Sequence, residues 1–366
     1  MHTQSKFRLL VVRLGAMGDI LHALPAVTAL RKAHPGWVID WVVEPRWRAL
    51  LSANQATEMN IGSRVEELSS LQPLANRLHF APTRDWRNAP LRRQTWQEVK
   101  TLRKALQADG YDAILDLQGA VRSAVLGRMT NSRRLIGEDA PREWAARWVF
   151  TERVETQGAH MIEQDIELAS AVAGDDLKPM APLLPVNPAA ESWADAVMAG
   201  AGSGKEQPAV LVNPGAGWGA KRWPVERYAA VARELVLRGM RVFVNVGPGE
   251  EDLAEPISGA TGGAATPVSC SVEQLIALTR RIQLAIAGDT GPLHLACALG
   301  RPVVGIYGPT DPSRNGPFGC PFRVLRSPES RRNHARHDAP EAGLMTIQPD
   351  DVLHAADDLL AKEPAR

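Results

Sequence analysis

Apolar residues fall along this chain in short β-branched runs that alternate with stretches of three-four spacing, and the two rhythms repeat together. Residues 8–44, RLLVVRLGAMGDILHALPAVTALRKAHPGWVIDWVVE, read as a strand, a Gly-containing turn, a helix and a second strand. Residues 209–247, AVLVNPGAGWGAKRWPVERYAAVARELVLRGMRVFVNVG, follow the same order. In that second unit Tyr228, Val231, Leu235 and Val236 share one helical face, and Gly239 stands where the helix should stop. Residues 284–308, LAIAGDTGPLHLACALGRPVVGIYG, make a third unit, and residues 111–118, YDAILDLQ, supply a further strand. The strands are continuous apolar runs, as expected when helices cover both faces of a parallel sheet. Strand and helix alternating throughout predict a doubly wound α/β architecture.

The pattern breaks once in the middle. Pro179, Pro182, Pro185 and Pro188 discourage regular structure and place an interdomain linker near residues 176–190. The expected organisation is an N-terminal Rossmann-like domain over 1–180, a second over 181–348, and a final helix over 349–366, capped by Asp350. A chain of 366 residues suits two domains, at roughly 150 residues each, with a core apiece. Residues 52–76 and 326–343 lack periodicity and read as irregular, and Ala199–Pro208 reads as a surface loop.

Composition narrows the function classes. A net charge of +1 excludes a polyanion binder by bulk charge, so any acidic partner must meet a local cluster. Cys270, Cys297 and Cys320 are odd in number and far apart, which argues against a disulfide framework or a zinc site and suits a reducing compartment. The start, MHTQSKFRLLVVRLG, has too short an apolar run before Arg13 for a secretory signal, and no stretch of about 18 apolar residues exists to span a bilayer. The expected address is the cytoplasm.

Four segments could carry chemistry. In RLGAMGDILHALP, Gly15 and Gly18 allow a tight turn and close backbone approach of a ligand, and Asp19 opens the helix. Asp19 is either an N-cap or a general base at the mouth of a cleft, where open α/β sheets place their ligands. The spacing is not G-x-G-x-x-G, so it fits a nicotinamide fingerprint poorly, and His22 reads as a packed helix residue. VNPGAGWGAKRWP fails as a P-loop, because Ala220 precedes Lys221 and Arg222 takes the Ser/Thr position. What remains is a flexible loop around Gly217 that can offer amides and Lys221 to a diphosphate, or else a basic surface loop. In AGDTGPLHLA, Thr290 is the expected N-cap, with Gly291 and Pro292 in the first turn. Free amides and the partial positive charge of such a helix start form a pyrophosphate seat. Asp289 would be repelled by phosphate and is assigned to sugar hydroxyls, while His294 either faces the cleft or is structural. Finally, residues 82–106 hold seven cations, among them Arg84, Arg87, Arg92 and Arg93, against only Asp85 and Glu98, with Trp86 and Trp96 interleaved. Such a run is either a solvated face or a surface for an acidic lipid, since basic residues and tryptophans favour anionic bilayer interfaces.

LGAMGDILHALP, VNPGAGWGAKRWP and GDTGPLHLACALGRPVVGIYGPTDP, in this order and separation, resemble the signature blocks of the ADP-heptose lipopolysaccharide heptosyltransferases of glycosyltransferase family 9. YDAILDLQGAVRSA, GEDAPREWAARWVF and AHMIEQDIELA are similar to the heptosyltransferase I group, which acts on the Kdo residue of Kdo2-lipid A. The resemblance covers most of the chain. It implies a GT-B fold, two Rossmann-like domains facing across a cleft, and an inverting reaction without metal or other cofactor. It implies ADP-heptose as donor, Kdo2-lipid A or a related acidic glycolipid as acceptor, peripheral contact with the inner membrane and no nucleic-acid partner. By position it makes Asp19 the catalytic base and Lys221 the phosphate-contacting lysine. Gly217, Asp289, Thr290, Gly291 and His294 fall in donor-binding blocks, and Glu250 or Glu251 falls near the ribose. Gly18, Gln118 and Arg122 lie where acceptor contacts are expected, with Arg84, Arg87, Arg92 and Arg93 on the same side. The chain departs from some members in the loop from Gly215 to Gly219, which lacks their threonine, and in residues 52–76, which are longer and less regular.

The competing expectations are a relative using another acceptor, such as an inner-core heptose or a protein, a GT-B-fold sugar-nucleotide epimerase needing no acceptor, and a non-enzymatic nucleic-acid or membrane-binding module built on the Arg/Trp run.

Overall fold

The structure, a computed structural model, describes residues 6–54, 64–200, 207–331 and 339–361. The chain forms two compact units, with Val186 ending the first and Asn187 opening the second. In the first, β1 (Arg8–Val12), β2 (Val38–Val43), β3 (Arg77–Phe80), β4 (Ala113–Asp116), β5 (Leu135–Glu138) and β6 (Glu152–Val154) form one parallel sheet in the order β3-β2-β1-β4-β5-β6. In the second, β7 (Ala209–Asn213), β8 (Arg241–Asn245), β9 (Thr266–Val268), β10 (Leu284–Gly288), β11 (Val303–Tyr307) and β12 (Phe322–Arg326) are parallel in the order β12-β11-β10-β7-β8-β9. Both sheets therefore have the same winding. The strand order reverses between β1 and β4 in one and between β7 and β10 in the other, and open α/β sheets bind ligands outside the strand carboxyl ends at that point.

The helices of the first unit are α1 (Met17–Ala33), α2 (Thr83–Asn88), α3 (Arg93–Asp109), α4 (Val121–Arg128) and α5 (Met161–Ala173). Those of the second are α6 (Pro188–Gly200), α7 (Val225–Leu237), α8 (Ala254–Ala260), α9 (Val272–Thr279), α10 (Gly291–Ala298), α11 (Pro312–Asn315) and α12 (Pro349–Leu360). Right-handed crossovers put α1 on one face of the first sheet, where α5 packs against it. Leu102 and Leu106 of α3 and Leu126 of α4 fill the core on the other face with Leu10, Val12 and Ile114. In the second unit Tyr228, Val231 and Leu235 bury the expected stripe of α7 against Val210, Val244 and Ile286. Val352, Ala356 and Leu359 of α12 belong to the same core, so the C-terminal helix is a layer of the second unit.

Several local expectations change. Pro188 opens α6, because proline is well suited to a first helical turn; only the residues before it run without helix or strand. The last helix is capped at Gln348, whose N–H donates to Asp351 at 2.8 Å, and Asp350 lies inside the first turn. Within 52–76, residues 55–63 lie outside the described residues, but the remainder is tied down. Arg64 reaches both carboxylate oxygens of buried Asp40 at 3.2 and 2.7 Å and Asp109 at 2.8 Å. Burial pushes the Asp109 carboxyl up, but His79, Arg64 and Arg77 outweigh it and hold the group well below the usual carboxylate range. Of the segment 326–343, residues 332–338 lie outside the described residues, as do residues 201–206 of the expected surface loop.

Candidate active site

In the first unit the turn after β1 is shaped by residues that leave no room for alternatives. Gly15 has φ of +149°, and a Cβ there would meet the Trp47 indole at 2.6 Å, so glycine is required on both counts. Gln118, at the end of the adjacent β4 segment, is buried, and its side-chain oxygen accepts from the Leu14 and Gly15 amides at 3.1 and 3.4 Å. It clamps the two switch-point loops to each other. Asp19 is the third residue of α1, with Ala16 at the N-cap, and its carboxylate reaches back to accept from the Ala16 N–H at 3.0 Å. The other side of the carboxylate remains partly open, with 34% of the side chain exposed. Asp19 therefore does not occupy the N-cap that the sequence allowed; it caps the helix start from the third position and keeps one side of its carboxylate open.

Beneath it lies Arg13, only 3% exposed. Its Nε donates to the Asp19 carbonyl at 3.0 Å and its guanidinium lies 3.9 Å from the Asp19 carboxylate. Arg142 approaches Asp19 from the solvent side, also at 3.9 Å. Two further carboxyls are buried. Asp116, at the end of β4, accepts from the Gln118 and Gly119 amides at 2.8 and 2.9 Å, yet burial pushes it up to about 6. Asp165 of α5 is pushed up to about 7 by burial, with Arg13 opposing the rise and Asp19 and Glu138 adding to it. A carboxyl raised in this way favours the fold only while protonated. Its contribution is complete below the ordinary aspartate value, near pH 4, and is lost as pH rises through about 7. The melting temperature of Asp165→Asn relative to the parent should therefore become more favourable from pH 5 to pH 8. A constant or shrinking difference would show that Asp165 does not carry this penalty.

His22 is buried, and its ring meets that of His160 edge-on at 5.5 Å. Gly18 lies half-buried in the first turn of α1, and Arg122 is exposed at the start of α4. Arg84 and Arg87 on α2, with Arg92 and Arg93 at the start of α3, are exposed. Trp86 is held inward by its N–H donating to Glu98 at 2.8 Å, beside a cavity of about 360 Å³ bordered by Pro82, Ala89, Arg92 and Thr95.

In the second unit the loops after β7 and β10 meet at their own switch point. The Lys221 ammonium is paired with the Asp289 carboxylate and lies 4.3 Å from the centre of the Trp218 ring. His294, one turn into α10, bonds the other Asp289 oxygen at 3.1 Å. Burial pushes Asp289 up, but His294 and Lys221 prevail and hold it well below the usual carboxylate range. Asp289 is therefore ionised and holds both Lys221 and His294. Thr290 occupies the N-cap of α10 but its hydroxyl turns back to the Gly288 carbonyl at 3.2 Å, and no side chain caps the helix. Pro292 has no N–H and the His294 amide donates to the Thr290 carbonyl at 3.3 Å, so the Gly291 and Leu293 amides are the first-turn donors without a side-chain cap.

The Gly-rich loop completes this end. Gly217 is exposed, and Asn213 orders the loop by donating to the Gly215 carbonyl at 3.1 Å. A side chain on Gly215 would collide with the Glu250 carboxylate, which lies over the loop. Glu251 is exposed and accepts from the Gly249 amide at 3.1 Å in its own turn. Of the two glutamates left open by the sequence, Glu250 is the one placed with Gly215.

Residues 99–343, more than half of the chain, match the model of glycosyltransferase family 9 (heptosyltransferase). The chain belongs to that family. Among curated relatives, lipopolysaccharide heptosyltransferase 1 of Escherichia coli (strain K12) is 29% identical over 88% of this chain and 94% of its own. Lipopolysaccharide heptosyltransferase 3 of Escherichia coli is 27% identical over 94% of this chain and 96% of its own. The solved structure of E. coli heptosyltransferase WaaC with ADP-2-deoxy-2-fluoro heptose is 25% identical, covers 96% of this chain and 99% of that one, and superposes with a TM-score of 0.73. The enzyme is thus a glycosyltransferase with the paired Rossmann-like units of the GT-B class. Sequence reading of this family-9 chain named Asp19, Lys221, Asp289, Thr290 and His294. It missed the buried Arg13, Asp116 and Asp165 and the half-buried Trp47 against Gly15, which no local pattern announces.

Proposed function

We propose that the chain transfers heptose from ADP-heptose to the Kdo residue of Kdo2-lipid A, with inversion and without a metal, in assembly of the lipopolysaccharide inner core. The observation that carries this reading is the helix start at Gly291, left uncapped beside Lys221, which Asp289 fixes at the second unit's switch point. A diphosphate fits there, because helix amides and an ammonium both favour the negative charge that grows on a departing ADP. The reading needs Asp19, at the corresponding point of the first unit, to address the same pair of substrates. Asp19 takes the proton of an acceptor hydroxyl, and the oxygen forms a bond to the anomeric carbon of the heptose. The bond from that carbon to the diphosphate breaks on the opposite side, its electron pair staying with ADP, and the configuration inverts. Glu250 is assigned to the ribose.

The proposal of metal independence rests on the charge already supplied. A cation about 4 Å from the leaving group, at an effective dielectric near 20, interacts by up to roughly 4 kcal/mol, and only the part that grows in the transition state raises the rate. Asp289, the acid nearest Lys221, is occupied by Lys221 and His294 and does not stand open as a cation ligand. The Kdo2-lipid A acceptor and a location at the cytoplasmic face of the inner membrane are supported by the exposed arginines of α2 and α3, which suit an acidic glycolipid. No helix among the described residues is long and apolar enough to cross a membrane. A second reading, transfer to a heptose already on the core, is favoured by the similarity to heptosyltransferase 3.

ADP release in excess chelator tests these points. With ADP-heptose and Kdo2-lipid A the rate should match that in magnesium, and without acceptor it should fall to background. A divalent requirement removes the metal claim. Release only with an acceptor that already carries heptose moves the assignment to the second reading.

A further inference from the structure

All the exposed large apolar side chains among the described residues of the first unit lie on three segments: Leu91, Trp96, Val125, Trp144 and Trp148. Leu91 is 91% exposed and Trp148 73%, values far beyond a residue that merely grazes the surface. Single apolar residues on a surface need no explanation, but a group on one layer does. These segments connect β3 to β4, β4 to β5 and β5 to β6, running one way across the sheet, so right-handed crossovers put them on one face. The core agrees, since Leu106 of α3, Leu126 of α4 and Phe150 pack into a single cluster there. The opposite face, where α1 and α5 pack together, has no exposed large apolar residue among those described.

The charge around the group has one sign in excess. Arg84, Arg87, Arg92 and Arg93 surround Leu91 in the sequence and are exposed, with Asp85 the exposed acid among them. Arg128 is exposed one turn from Val125. Arg147 stands over both Trp144 and Trp148, 4.9 and 5.9 Å from the ring centres, and also pairs with Asp139 at 2.8 Å. Tryptophan bodies with arginine rims match the headgroup region of an anionic bilayer, where aromatic rings lodge at the boundary and guanidinium groups meet phosphate. Exposed Asp85 and Glu143 are outnumbered on this face by exposed arginines, and a protein partner of ordinary surface would not select for a rim with such a cationic excess.

We propose that the α2–α3–α4 face of the first unit, with the turn at Trp144–Trp148, is a docking surface for an anionic lipid bilayer. The inference rests on the reading of an acidic glycolipid acceptor and deepens it by stating where the membrane is met. Leu91 and Trp96 follow the carboxyl end of β3 and the two tryptophans follow that of β5, the same sheet edge that carries Asp19 after β1.

The test is flotation of the full chain with vesicles of phosphatidylglycerol and phosphatidylethanolamine, or of phosphatidylcholine alone, neither containing acceptor. The chain should bind the anionic vesicles, and less so as salt rises, and should bind neutral vesicles at least about tenfold more weakly. Trp144→Ser with Trp148→Ser, and separately Leu91→Ser with Trp96→Ser, should each lower anionic-vesicle affinity about tenfold or more, while transfer to a deacylated, water-soluble acceptor is retained. Brominated lipid should quench part of the parent's tryptophan emission, a readout that needs no variant. Absence of anionic-vesicle binding, equal binding to neutral vesicles, no bromolipid quenching, or unaltered binding of both double variants overturns the proposal. So does a self-associated parent that the tryptophan changes dissociate without any vesicle binding. Because the vesicles hold no acceptor, failure of heptose transfer with vesicle binding intact sinks the acceptor assignment alone.

Discussion

Asp19→Ala is expected to remove heptose transfer while ADP binding persists. General-base catalysis by a positioned side chain contributes roughly 10²–10⁴-fold, and no other described carboxylate stands partly open on the turn after β1. Asp116 and Asp165 are buried, and Glu44 is buried and bonded to Thr83. The alanine change also deletes the bond to the Ala16 amide, a helix-start contact of about 0.5–2 kcal/mol. Asp19→Asn separates the two effects, because its amide oxygen can still accept from Ala16 but cannot take a proton. The asparagine variant should melt close to the parent and still lose turnover by the same order. Near-normal turnover in either variant would remove the base assignment. Loss of turnover together with loss of ADP binding would mark Asp19 as a structural element of the turn.

The second large effect is expected at Lys221. Its ammonium is mostly buried, paired with Asp289 and set against the Trp218 ring, so its position is fixed before a ligand arrives. A hydrogen bond to a charged group is worth about 1.5–3 kcal/mol, so Lys221→Ala should weaken ADP binding roughly 10- to 150-fold and lower the rate at least as much. It also strips the buried Asp289 of one of its two partners, placing a bare carboxylate beside the diphosphate seat. Asp289→Asn should therefore be milder on ADP affinity than Lys221→Ala, since it removes the holder but keeps the cation. An ADP dissociation constant unchanged in Lys221→Ala, measured by calorimetry, would end its phosphate role.

What the sequence made legible follows from how far each signal reaches. The central strands β1, β4, β7, β10 and β11 are buried on both faces and announce themselves as apolar runs. The strands β6 and β9 have three residues each and carry charge or proline, so no periodicity can build up in them. Asp19, Lys221 and the Thr290–His294 turn were legible because glycines and a proline frame them. Arg13 looked like the polar end of an apolar strand, and only the surrounding carboxyls make it the buried counter-charge of the turn. Asp165 sits in α5, and nothing local says that its face meets Arg13 and not water. Trp47 is distant in sequence from Gly15, and their contact comes from the pairing of β1 with β2. Asp289 shows the converse: its place in the block was clear, but its partners required the β7 loop to be brought alongside.

The central claim is tested most directly on the product. Kdo2-lipid A incubated with ADP-heptose and the enzyme in chelator should gain one heptosyl residue by mass, attached to Kdo, with an anomeric configuration opposite to that of the donor by NMR. An unmodified acceptor beside consumed donor, or a product that retains the donor configuration, would contradict the account.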